Sequence, residues 1–145
     1  MDTNNVLPTR GQLERHISQT LQSLYRSQFG QLPSKITCHI FDDKVAIVIE
    51  NVTTDLEKIL SDNSKLDLAS NIRSAIDETF VANVKQQIAD ILGVEVTELI
   101  VDSVLDTGYL GIILFLSDLP KMRLAAKEQL KITKLIRDTS TAARK

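Results

Sequence analysis

One cysteine, two histidines, five glycines and no tryptophan are spread over 145 residues, and each shortage removes a class of chemistry. Cys38, alone, can form no intramolecular disulfide, and its place in an apolar run reads as a small buried side chain rather than a reactive thiol. A reducing, cytoplasmic setting is therefore expected. His16 and His39 cannot supply the three or four convergent ligands of a metal site, and Cys38 and His39, as strand neighbours, point to opposite faces. No metal and no cofactor are expected. The glycines form neither a P-loop nor a dinucleotide-binding pattern. No apolar run approaches the roughly 20 residues that span a bilayer, and residues 1–9 lack the basic and apolar regions of a signal peptide. In that setting the sequon Asn51-Val52-Thr53 is chance.

What is present is a core and a charge split. With 43% hydrophobic residues, the chain can bury roughly two-thirds of its unfolded surface as one domain. The net charge of -2 conceals two zones. Residues 1–118 carry 9 basic and 17 acidic side chains, whereas residues 119–145 carry 8 basic side chains against Glu128 and Asp138. Such a tail can attract an acidic partner, or dock on the chain's own acidic body.

Periodicity gives helix, strand, turn, strand twice. Leu13, Ile17, Leu21 and Leu24 recur at helical spacing, so residues 12–28 read as an amphipathic helix that Gly30 ends and Pro33 keeps from resuming. Residues 36–41 and 45–52 flank Asp42-Asp43-Lys44 as a hairpin, and cap-type residues predict a short helix over 54–61. A long helix over 66–92 follows. It shows two stripes, Ala69, Ile72, Ile76 and Phe80, then Val81, Val84, Ile88 and Ile91 or Leu92, which predicts two buried faces. Residues 95–105 and 109–117 form the second hairpin around Asp106-Thr107-Gly108, where glycine supplies a positive φ. A basic helix over 121–137 closes the chain, with residues 139–145 frayed.

Two αββ units make an α+β, two-layer sandwich: a four-stranded antiparallel sheet with the long helices on one face. The expected organisation is a flexible N-terminus over 1–10, one domain over 11–118 and a basic helical extension over 119–145. The later strand of each hairpin is apolar on both faces, so both faces of the sheet should be covered. Either a second copy covers the far face, or the chain's own C-terminal helix does. The first reading gives a homodimer whose core is Ile47, Ile49, Ile112 and Leu114.

No residue is nominated as catalytic. Asp106-Thr107-Gly108 matches the aspartic-protease triplet but sits in a hairpin turn, and no histidine stands beside a convincing nucleophile. The acidic turns offer oxygen ligands to a cation, yet aspartate in a turn usually caps its own backbone. Nucleic-acid binding through the basic helix lacks interleaved aromatics. A non-enzymatic protein-binding module is expected, its partner contacted by Lys121, Arg123, Lys127, Lys131, Lys134 and Arg137, with a small-ligand or cation sensor as the alternative.

Gly11-Gln12-Leu13-Glu14, Phe29-Gly30-Gln31-Leu32-Pro33, the segment Leu68-Ala69-Ser70-Asn71-Ile72-Arg73-Ser74-Ala75-Ile76-Asp77, and Ile91-Leu92-Gly93-Val94 together resemble a bacterial family. It is the MpsC-like family, named for a Na+-translocating membrane-potential-generating system. The resemblance spans roughly residues 11–117 and leaves out the basic tail. It implies a small soluble protein, in some bacteria linked to a membrane cation or bicarbonate uptake system, and it carries over no catalytic residues. The transport link makes an accessory or regulatory subunit the expected role, with a component of the membrane system as a possible partner.

Overall fold

The computed structural model describes residues 6–123 and 126–143. In chain order the elements are α1 (Arg10–Phe29), β1 (Lys35–Phe41), β2 (Lys44–Glu50), α2 (Asp55–Asp62), α3 (Leu66–Leu92), β3 (Val96–Val104), β4 (Tyr109–Leu116) and α4 (Ala126–Ala143). The four strands form one antiparallel sheet in the order β1-β2-β4-β3. Each hairpin pairs locally, and the two join through their second strands. Helices α1 and α3 cover one face, giving the expected α+β sandwich.

Local chemistry sets the ends of the elements. Thr9 accepts a hydrogen bond from the Gln12 backbone N–H while the Gln12 side chain accepts one from Thr9, a reciprocal cap that starts α1 at Arg10. Thr54 and Glu57 repeat the device on α2. Gly30 and Gly93 end α1 and α3 at φ 71° and 72°, a region where a side chain would be strained. In the turns, Asp42 takes φ 53° between β1 and β2, and Gly108 takes φ 75° between β3 and β4.

The core lies between helices and sheet. Leu13, Ile17, Leu21 and Tyr25 of α1 and Phe80, Val84, Ile88 and Leu92 of α3 pack on Ile47, Ile49, Ile112 and Leu114, which are at most 1% exposed. This corrects the expected dimer core. Those four side chains are already enclosed by the chain's own helices, so no second copy can reach them. The strand alternation leaves the opposite set, with Val48 and Ile113, on the outer face.

Helix α3 also differs from expectation, because it has one buried stripe rather than two. Ala69, Arg73, Asp77, Phe80, Val84, Ile88 and Leu92 follow one another at steps of three or four, and two of them are charged. Reading only apolar residues broke this stripe in half. Nor does α4 cover the outer face: every described side chain from Leu130 to Thr139 is exposed, with Leu130, Ile132, Leu135 and Ile136 at 43–71%.

The C-terminal helix begins later than expected because residues 121–123 serve as an extended strap. Lys121 N–H donates to Leu92 O, Arg123 N–H donates to Pro8 O, and Thr9 bridges Arg123 in parallel. The strap thus binds the C-terminal end of α3 to the N-terminal end of α1. Of the N-terminal stretch expected to be flexible, residues 1–5 lie outside the described residues, while Leu7 and Pro8 accept hydrogen bonds from Arg123.

Both sheet edges carry a carboxylate on an outward N–H. Glu14 of α1 accepts from Ile40 N–H on β1 at 2.8 Å, and Asp102 accepts from Ser103 N–H on β3 at 2.8 Å. A β-bulge between Val96 and Glu98 further interrupts the β3 edge.

Candidate interaction surfaces

The outer face is read rung by rung from the register. Phe41, Lys44, Phe115 and Glu98 make one rung; His39, Ala46, Ile113 and Ile100 the next; Thr37, Val48, Gly111 and Asp102 the third. Phe41, Val48, Ile100, Val104 and Tyr109 are 39–57% exposed, and no described element of the chain lies over them. A contiguous apolar sheet face left to water is unusual for a lone domain and makes this face a candidate contact surface. Two features shape it. Gly111 leaves a hollow, since a Cβ built there meets nothing within 4 Å, and His39 stacks on Phe41 with ring centroids 6.0 Å apart.

A second polar locus lies inside the protein. Arg73, 3% exposed, donates from Nη1 to Val52 O at 2.7 Å and to Glu57 Oε1 at 3.2 Å, and from Nε to Asp77 Oδ1 at 3.0 Å. Its Nη2 is also 3.0 Å from that oxygen, but makes no directed hydrogen bond. Glu57 is fully buried and takes further bonds from Thr54, while Asp77 Oδ2 accepts from Ser103 at 2.6 Å. Desolvation pushes the Asp77 carboxyl above the usual range, and the Ser103 bond and the Arg73 charge offset only part of that rise. The cluster ties α2, α3, β3 and the end of β2 together. Beside it lies a cavity of about 250 Å³, whose lining includes Ser70, Ser74, Asp77, Glu78, Asp102 and Ser103.

The expected partner-binding cations are not brought to one surface. Arg123 Nε donates to Leu7 O, and the Lys121 side chain packs along Gly93, so both belong to the strap. Lys131, Lys134 and Arg137 lie on exposed α4, and the Lys127 side chain lies outside the described residues. Cys38 faces the helices, and burial with the nearby Glu14 charge pushes its thiol up to about 12. His39 faces outward, 3.4 Å from Glu14. Among the described residues no group of three or more His, Cys, Asp or Glu is placed to hold a metal ion, and no helix is long and apolar enough to cross a membrane.

Sequence reasoning missed the outer face proper and the Arg73 cluster. The signal for the face was in the flanking strands. β1 and β3 alternate polar and apolar residues, with Thr37 and His39 against Cys38 and Ile40, so carrying their parity across the hairpin register marks Val48 and Ile113 as outward.

No curated protein and no solved structure matches the chain. The sequence model of a family described as Na+-translocating membrane potential-generating system (MpsC) matches residues 9–118.

Proposed function

Because the chain belongs to the MpsC family, we propose that it is a non-enzymatic, homodimeric protein-interaction module, an accessory or regulatory subunit tied to membrane transport of ions or bicarbonate. The observation that carries this reading is the uncovered apolar outer face of the sheet. A second copy would bury that face, and the exposed α4 with Lys131 and Lys134 would attract an acidic partner protein. The most chemically distinctive internal cluster, Arg73 with Glu57 and Asp77, makes its hydrogen bonds within the fold, which supports a binding role over a catalytic one.

Solution mass tests the assembly: the full chain should run at twice 16.2 kDa, and a mass of 16.2 kDa at all accessible concentrations would sink the dimer. Pull-down with the chain lacking residues 119–145 tests the tail, and the partner claim fails if every partner stays bound.

The cavity beside Asp77 favours one second reading, a small-ligand or cation sensor. Thermal shift against nucleotides, bicarbonate and divalent cations separates the two, since a ligand at 100 times its dissociation constant adds about 2.7 kcal/mol.

A further inference from the structure

We propose that the second copy sits face to face on the outer sheet surface, related by a two-fold axis that runs parallel to the strands above the gap between β2 and β4. This rests on the homodimer reading and adds its geometry. A sheet of four strands, seven to nine residues each, presents a face roughly 20 Å on a side, the scale of a modest homodimer interface.

Three observations select this axis. The first is side-chain size. On the two central strands Ala46 pairs with Ile113 and Val48 pairs with Gly111, so each of these two rungs has one bulkier and one small outward position, and the bulkier one changes strand between them. An axis parallel to the strands lays β2 of each copy on β4 of the other at the same rung. Ala46 then faces Ile113 of the second copy, and Val48 enters the hollow over its Gly111, where there is open space. An axis across the strands would set β4 on β4 and β2 on β2, and centred on the Ile113 rung it stacks Ile113 on Ile113 and leaves Ala46 facing Ala46, bulk on bulk beside a gap.

The second is charge. The outward charges of β3 are Glu98 and Asp102, whereas β1 and β2 carry Lys35 and Lys44 with Glu50. The parallel axis lays β3 on β1, while the crossed axis, centred on the same rung, lays Glu98 of each copy over Asp102 of the other, which like-charge repulsion opposes. Lys44 already holds Asp43 at 2.7 Å, so its contribution is shared.

The third is the state of the edges. Glu14 and Asp102 occupy outward N–H groups at Ile40 and Ser103, and the bulge bends β3, so edge-to-edge extension of the sheet is disfavoured and the face is left as the self-contact.

Cross-linking in the full-length chain tests the axis. On a Cys38→Ser background, one preparation carries His39→Cys and another carries Ile100→Cys, residues at the two ends of one rung. Under the proposed axis residue 39 of one copy lies over residue 100 of the other, whereas like residues stand roughly 14 Å apart laterally. After subunit exchange, a short bismaleimide should cross-link the mixture several-fold more than either preparation alone. Circular dichroism checks that both variants fold, and the mass of the unmodified chain is measured in parallel. Equal or greater cross-linking within one preparation, or none in a mixture that is dimeric by mass, overturns the geometry and leaves the homodimer standing. A monomeric unmodified chain overturns both.

Discussion

Removing the Arg73 side chain would leave the fully buried Glu57 carboxylate without its cation, and would leave Val52 O with only the longer bond from the Tyr25 hydroxyl at 3.3 Å. Breaking one side of a buried ion pair costs about 3–5 kcal/mol, so Arg73→Ala should lower the urea midpoint sharply. The double change Arg73→Met with Glu57→Gln should be much milder, because no buried charge is stranded; equal losses would show that the pairing matters little. Asp77 works in the other direction. Its pKa is raised in the fold, so the folded state holds the proton more tightly, and the associated stability is present below about pH 4 and lost as pH rises through the raised value. The stability of the natural chain relative to Asp77→Asn should therefore fall as pH rises, and urea midpoints of the two proteins from acid to neutral pH check this. Cys38 gives a kinetic test. With the thiol pushed up to about 12, an aromatic disulfide reagent at neutral pH should label the folded chain slowly and the urea-unfolded chain quickly.

Among the elements, those with local signals were legible in sequence and those set by long-range pairing were not. Helix α3 runs over residues 66–92 as its periodicity predicts, and the caps at Thr54 and Gly30 are where the residue chemistry places them. The line of burial along α3 was hidden, because Arg73 and Asp77 at i, i+4 look like a surface ion pair and are instead two rungs of the buried stripe. The same limit affected the sheet. Apolar residues on both sides of β2 and β4 predict two covered faces without saying which one meets the helices. The late start of α4 was hidden for another reason: only the folded chain brings Leu92 and Pro8 within reach of residues 121–123. Because the described part of α4 is exposed, ending the chain after Arg123 should leave the melting temperature of the remaining body nearly unchanged, by calorimetry. A large drop would mean that the tail packs on the body in solution.

For the whole molecule, the proposed burial of the outer face by a second copy would couple folding to concentration. The melting temperature should rise with protein concentration for the natural chain, whereas Ile113→Asp, which sets a charge at the centre of the face, should melt at one temperature throughout a dilution series. Matching concentration dependence in the two would argue against the face as the contact. The small carboxylates at the sheet edges then take on a wider meaning. A strand edge that accepts a neighbour creates another open edge, so such growth has no natural end and leads toward fibres. A face that accepts its own copy is consumed by the act. Occupied N–H groups on both edges beside a bare face suit the proposed pair, an assembly that would close at two and stop.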